Sequence, residues 1–215
     1  MNRYFILGTD TDCGKTYVTC QLLDYLNQQT SAMALKPVIS GVDADDSYAL
    51  LKRHNRTLNE DISLYSFKSP IAPHLAAAEE GVEISLSSLV DFVFSPTYSN
   101  VEHLLIEGAG GLMVPLGDQT TWIDFLIASK IPVILVVGMR LGCINHALLT
   151  EFVLRANRIE CLGFIANCLD KNMLVLDENI RTLEKTMKIP LLTTIPYATK
   201  VSIDSMPCFT SCSSG

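Results

Sequence analysis

An α/β fold, a parallel β-sheet with helices on both faces, is what this sequence predicts, and three observations predict it. Short apolar runs alternate with amphipathic segments of helical period along most of the chain. The first apolar run ends in glycine and opens into a loop and helix that carry Gly14-Lys15-Thr16. A later run, residues 101–106, ends on an acid, Glu107, followed by Gly108-Ala109-Gly110-Gly111. Strands that alternate with helices join through right-handed crossovers, and these cover both faces of a parallel sheet.

Taken in order, residues 3–8 (RYFILG) read as a buried strand. A helix follows from about residue 15, with Val18, Leu22 and Leu26 on its buried stripe. Residues 32–39 (AMALKPVI) read as one strand, stopped by the turn Ser40-Gly41. A short helix starts near Asp46, and residues 62–67 are extended. The proline-punctuated loop 69–74 (SPIAPH) leads into a helix over 74–80, and a further helix over 86–94 ends at Pro96. Strands at 101–106, 131–137, 160–166 and 190–195 are separated by helices at 121–129, 143–157 and 174–187. Beyond Thr199 the periodicity is lost. With no repeat or long linker, the expectation is a single domain over 1–215, in which 199–215 form a tail.

The composition narrows the function. At 215 residues, 48% hydrophobic and 18% charged, the chain has the make-up of a globular domain. A net charge of −7, with no run of Lys or Arg, argues against nucleic acid as a partner. No apolar stretch reaches the roughly 18 residues of a membrane helix. The opening MNRYFILGTD lacks the apolar region and cleavage site of a signal peptide, so the expected location is cytoplasmic. Seven cysteines without a C-x-x-C pair fit free thiols in a reducing compartment.

Residues 8–16, GTDTDCGKT, lie between the first strand and the first helix, where a phosphate-binding P-loop must sit. Gly14 lets backbone approach phosphates, Lys15 reaches the outer ones, and the Thr16 hydroxyl can ligate Mg²⁺. Gly8 stands one residue earlier than the standard pattern places its first glycine. Asp10 and Asp12 cap the helix or hydrogen-bond within the loop. Lys36 ends a strand on the side where open α/β sheets bind ligands, unless it only snorkels there. Asp46 by position alone is a helix N-cap. Glu107, an acid ending an apolar strand, matches the Walker-B arrangement that holds Mg²⁺. Asn167 ends another strand and can face an adenine edge or serve a turn. Trp122 reads as core, His54 and His103 as exposed, and His74 as without chemistry.

The loop GTDT-x-x-GKT, the segments KPVISG, EGAGG, VPLGD, PVILVVG and LGCINHALLT, and the later IAN and IPY resemble in order the motifs of dethiobiotin synthetases. The resemblance runs from about residue 3 to 198. It implies a P-loop NTPase-type fold and an ATP- and Mg²⁺-dependent ligase of biotin biosynthesis. The family reaction joins CO₂ or bicarbonate to 7,8-diaminononanoate. It yields dethiobiotin, ADP and phosphate through a carbamate and a carbamic-phosphoric anhydride.

Carried over by motif, the resemblance implies catalysis by Lys36, Lys15 and Thr11, with Thr11 and Asp12 facing a substrate amine. It places the nucleotide on Asp12, Cys13, Gly14, Lys15, Thr16, Tyr17, Asp46, Glu107, Gly108, Ala109 and Gly110, and on Asn167, Cys168, Pro196, Tyr197 and Ala198. Mg²⁺ falls to Thr16, Asp46 and Glu107, and substrate to Ser40. Gly142, Cys143, Ile144 and Asn145 are expected to hold the substrate carboxylate of a neighbouring chain in a homodimer. An apolar stripe of Ile144, Leu148 and Phe152, with Leu149 and Val153 beside it, is wider than one sheet face requires. The chain departs from the family pattern at Asn179 and beyond Ala198. The rival readings are a ParA/MinD-like switch ATPase and another P-loop amide- or carbamate-forming ligase. The switch proteins usually carry a second lysine early in the loop, where residues 9–12 here are Thr-Asp-Thr-Asp.

Overall fold

The computed structural model describes residues 1–41, 50–52, 54–55 and 61–197. Its strands are β1 (Asn2–Gly8), β2 (Ala32–Leu35), β3 (Val38–Ser40), β4 (Tyr65–Phe67), β5 (His103–Gly111), β6 (Val133–Met139), β7 (Cys161–Cys168) and β8 (Leu191–Ile195). The helices are α1 (Lys15–Leu26), α2 (Pro73–Glu79), α3 (Leu86–Val93), α4 (Trp122–Ser129), α5 (Cys143–Ala156) and α6 (Leu176–Thr186), with a 3₁₀ turn at Pro96–Tyr98.

Six strands pair in the order β2-β5-β1-β6-β7-β8, and every pairing among them is parallel. β1 lies centrally because it is apolar on both faces: Phe5, Ile6 and Leu7 have no exposed surface. Strand order reverses around β1, since β5 lies on one side and β6 on the other. In open α/β sheets the crevice at such a switch point receives ligands at the carboxyl ends of the strands.

The Phe5 ring anchors the packing beneath that crevice. It meets Trp122 at 5.2 Å and Phe125 at 5.5 Å between ring centroids. Trp122 donates from its indole nitrogen to Ala109 O at 2.9 Å, which ties α4 to the glycine-rich segment after Glu107. α4 starts cleanly because Thr121 and Asp124 form a reciprocal capping box. α1 has no side-chain cap: its first turn follows Gly14 in the left-handed region at φ 86°. That leaves backbone N–H groups at its amino end for another partner.

The segment expected as one strand over 32–39 is two. Pro37 has no N–H to continue a ladder, so the chain leaves the main sheet there. Lys36 N donates to Ile62 O at 2.7 Å, and Pro37 O accepts from Leu64 N and Tyr65 N. β3 then pairs in parallel with β4 as a separate two-stranded sheet, and Ser40 lies opposite Phe67. An unbroken apolar reading conceals this because residues 32–39 are buried on both sides of the break. α2 begins one residue earlier than expected, with Pro73 in its first turn.

Trp122 is core, as expected, but two histidines differ from expectation. His103 is buried, paired between Asn2 and Ala32 and stacked on Tyr4 at 5.9 Å. It lies at the amino end of β5, where strands on both sides cover it. His54 is half-buried, with Nδ1 3.0 Å from Asp24. The described cysteines are all free. Burial pushes the Cys161 thiol up to about 12, so it stays protonated and unreactive near neutrality. Among the described residues no helix is long and apolar enough to cross a membrane.

His103 makes stability pH-dependent. Burial lowers its pKa, more than Glu102 raises it. The unfolded chain therefore takes up a proton here more readily than the folded one. The neutral-form stability is fully present above the unfolded value near 6.5 and is lost as pH falls below it. Denaturant titrations from pH 7.5 to 5 should show a shallower stability slope in His103→Phe than in the parent chain. An identical slope would remove His103 as the cause.

Candidate active site

The loop between β1 and α1 is shaped by close packing. Thr9 N still donates to Val136 O at 3.0 Å, which extends the β1–β6 pairing by one residue. Asp12 and Gly14 then adopt left-handed φ values of 57° and 86°. The early glycine has a steric reason. A Cβ on Gly8 would lie 2.5 Å from Cys13 Sγ and 2.8 Å from Lys15 Nζ, so only glycine lets the lysine fold across it. Lys15 is buried and donates to Asp10 O at 3.1 Å.

Asp10 hydrogen-bonds within the loop. It accepts from Thr11 N at 2.7 Å and from the Arg140 guanidinium at the end of β6. His146 Nδ1 lies 3.8 Å from the same carboxylate. Arg140 is the residue that sequence reasoning missed; a single arginine after an apolar strand carries no motif. Both partners are more than a third exposed, so the pair is worth at most about 1 kcal/mol. Its effect is to tie the front of the loop to the start of α5.

A cleft of about 740 Å³ opens at the carboxyl ends of β1, β2 and β5. Thr11, Asp12, Gly14, Lys15, Thr16 and Tyr17 line it from the loop and α1, Lys36 from just past β2, and Glu107, Gly108, Ala109 and Gly110 from β5. Ser40 and Gly41 extend it, and residues 70–73 form a wall that the sequence showed only as a loop. Glu107 is 1% exposed. Its Oε1 accepts from Thr16 Oγ1 at 2.6 Å and from Lys36 Nζ at 3.2 Å. Its Oε2 is buried and accepts no hydrogen bond among the described residues, and Ser40 Oγ is likewise buried without a partner. A buried, unmatched carboxylate oxygen beside a threonine hydroxyl is the donor chemistry a hard cation takes.

Formal charge sharpens this. Among the described lining residues, Lys15 and Lys36 are matched in number by Asp12 and Glu107, so these side chains are neutral together. A polyphosphate needs positive charge beyond them, from the amino end of α1 and from a cation. Among the described residues no group of three or more His, Cys, Asp or Glu side chains gathers around such an ion. Asp46 and Ala198 lie outside the described residues.

Other expected residues lie away from this cleft. Cys13 is 1% and Asn167 3% exposed, and Asn167 Nδ2 donates to Cys13 O at 2.9 Å. Cys168 is buried at the end of β7, and burial raises its thiol pKa. Pro196 and Tyr197 follow β8 at the surface. Asn179 back-bonds to Val175 O on α6. Gly142 caps α5 in the left-handed region at φ 93°, Ile144 and Asn145 follow on its first turn, and Cys143 is buried. None of these four lines the cleft of its own chain. Of the expected apolar stripe, Ile144, Leu148 and Val153 pack partly on the core. Leu149 and Phe152 are 56% and 60% exposed, as is Met113 at 62%.

A central strand running into a glycine–lysine–threonine helix start, with a buried acid on the neighbouring strand, defines a P-loop nucleotide-binding domain. The AAA domain family matches residues 2–204, and the chain belongs to it. Solved structures agree in shape. A chain of the MinC:MinD cell division protein complex of Aquifex aeolicus gives a TM-score of 0.61 at 14% identity, over 93% of this chain and 83% of that one. A ParA family ATPase from Chlorobium tepidum gives 0.55 at 16%, over 91% and 84%. At such identities the likeness is one of fold alone. Sequence relatives reach further. The ATP-dependent dethiobiotin synthetase BioD of Legionella pneumophila (strain Paris) is 50% identical over 208 residues, 94% of this chain and 97% of the relative. That of Francisella tularensis subsp. novicida (strain U112) is 42% identical over 193 residues, 86% and 85%. Within the P-loop class, the chain belongs to the dethiobiotin synthetase family.

Proposed function

We propose that this chain is an ATP-dependent dethiobiotin synthetase whose chemistry runs in the cleft at the ends of β1, β2 and β5. The observation that carries the reading is the convergence of Lys15, Thr16, Lys36 and Glu107 there. Both Thr16 and Lys36 reach one oxygen of Glu107.

One amine of 7,8-diaminononanoate adds to CO₂ and loses a proton, giving a carbamate. A carbamate oxygen attacks the γ-phosphorus of ATP, and ADP leaves. The second amine attacks the carbamoyl carbon of the anhydride, phosphate leaves, and the ureido ring closes. Bringing an anionic carbamate to an anionic γ-phosphoryl group is the electrostatic obstacle. Lys15, folded over Gly8, and Lys36, at the joint after β2, supply positive charge to the cleft that offsets it. The backbone N–H groups opening α1 receive the phosphates. Asp12 and Thr11, which line the cleft, meet a substrate amine. Ser40, with its unmatched hydroxyl, and the wall of residues 70–73 are suited to hold the carbon chain and orient it.

Thr16 and Glu107 fit Mg²⁺, and Asp46 would complete the set. Such an ion supplies Lewis-acid stabilisation of the phosphate oxygens when bound. The exposed Leu149 and Phe152 on α5, beside Met113, favour a homodimer through that face. This would carry Gly142, Cys143, Ile144 and Asn145 to the neighbour's substrate. Adenine contacts fall to Asn167, Cys168, Pro196, Tyr197 and Ala198. The free, buried cysteines suit the reducing cytoplasm. Against the ParA/MinD-like alternative, residues 9–12 offer no second lysine.

Incubation with ATP, Mg²⁺, the diamine and bicarbonate should release ADP and yield dethiobiotin detectable by mass spectrometry. ATP hydrolysis indifferent to the diamine would return the switch ATPase. Lys36→Ala should lower turnover by roughly 10²–10³-fold with little change in ATP affinity, while Glu107→Gln should raise the Mg²⁺ needed for half-activity. Full turnover in the first, or an unmoved Mg²⁺ titration in the second, would withdraw that residue's role. Sedimentation should give a dimer that Phe152→Asp shifts to monomer; a monomeric parent chain would refute this assembly.

A further inference from the structure

The crest of the phosphate loop is seated on the strands beneath it. Cys13, 1% exposed, rests on β6 and β7. A Cβ on Gly138 would lie 2.9 Å from both Cα and Cβ of Cys13, so the glycine leaves the space that Cys13 fills. In register beside Gly138 is Asn167. Its amide nitrogen reaches up and donates to the Cys13 carbonyl at 2.9 Å, in a buried contact. Gly14 lies against the same group. At φ +86°, a Cβ there would come 2.1 Å from Asn167 Nδ2 and 3.6 Å from Leu169.

A trans peptide is planar, and its C=O and N–H point in opposite directions. The Cys13 carbonyl and the Gly14 N–H belong to one such plane. Holding that carbonyl down on Asn167 therefore turns the Gly14 N–H away from the sheet. Gly14 itself lines the cleft. Glycine has wide conformational freedom, so something outside it must select the left-handed turn. The buried amide bond is suited to that selection.

We infer that Asn167 is a positioning residue for the phosphate loop: by holding the Cys13 carbonyl it sets the left-handed turn at Gly14 and aims the N–H groups that open α1 at polyphosphate. This rests on the phosphate-binding reading of the loop and goes beyond an adenine contact for Asn167. One of the two amide protons is committed to the loop, so base recognition and loop geometry share a single carboxamide. Loss of the donor leaves a buried carbonyl unpaired, which costs binding wherever the loop must be ordered.

The test compares the full chain with Asn167→Ala and with Asn167→Asp, which keeps the side-chain size but lacks the N–H donor. Titration calorimetry with Mg²⁺–tripolyphosphate, a ligand without a base, should show affinity lowered roughly tenfold in both variants. ATP should weaken by at least the same factor. In nucleotide-free protein, amide exchange across residues 9–16 should accelerate while β1 and β6 keep their protection. Unchanged tripolyphosphate affinity with a loss for ATP alone would make Asn167 a base contact only and overturn the inference. Unchanged loop exchange in the ligand-free variants would overturn it as well. If the parent chain takes no tripolyphosphate, the phosphate reading fails, and loop exchange still decides the role of Asn167. Should Asn167→Ala unfold, Asn167→Asp carries the same comparisons.

Discussion

A buried carboxylate at the meeting point of three strands organises the carboxyl end of this sheet. Glu107 is 1% exposed, and an ionised acid so placed needs compensation from every side. Thr16 answers it from α1 and Lys36 from beyond β2, both on one oxygen. The requirement therefore links the loop after β1, the break after β2 and the end of β5. The unmatched second oxygen keeps the account open toward the cleft, where the proposed Mg²⁺ would close it. Lys36 also holds a position on which that ion would act. With the proposed metal on Glu107, less of the lysine's charge would be absorbed by the acid and more would be available to phosphate and carbamate.

Net charge looks at first like an argument against a polyanion ligand, since the chain carries −7 overall. Local arrangement outweighs the total, because fields from distant surface charges are screened within about 8–10 Å at physiological salt. Among the described residues lining the cleft, two lysines balance two acids, and the amino end of α1 tips that balance positive. That small excess falls short of a triphosphate's charge, which is the place the proposed Mg²⁺ would take.

Much of the architecture was legible in the sequence because its signals are local. Strand periodicity, the glycine–lysine–threonine at a helix start and an acid ending an apolar run each lie within a few residues. β1, β5 to β8 and the helices between them follow from those cues. Misread features depend on neighbours distant in sequence. His103 looks like a surface histidine until β1 and β2 pair on either side of it. Arg140 gains its meaning only from Asp10, 130 residues away. The break at Pro37 was visible as a proline, yet its consequence, a separate sheet with β4, depends on a partner strand of three residues. In the site, Lys15 and Thr16 at a helix start and Lys36 and Glu107 after apolar runs were read from the sequence, and the four line one cleft. The sequence could not tell that Asn167 supports the loop from below.

The break at Pro37 also separates the parts of the site. Shape likeness to the MinC:MinD and ParA-family structures extends over 93% and 91% of this chain; within it, β1, the phosphate loop and the strands around it form the nucleotide-binding frame. That frame serves any chemistry that begins with a nucleoside triphosphate, and so fold alone could not decide between a switch and a ligase. β3, β4 and α2 stand beside it, joined through one residue without an N–H donor. They bring the Ser40 hydroxyl and the wall of residues 70–73 over the cleft. Lys36 is the last residue before the joint and belongs to both parts: its backbone N–H bonds to the side of the small sheet through Ile62, while its ammonium reaches Glu107 on the main one. A lysine so placed sits where the phosphate-binding half and the proposed substrate half adjoin. On the proposed reading, transfer of a phosphoryl group from one bound molecule to the other falls at that boundary.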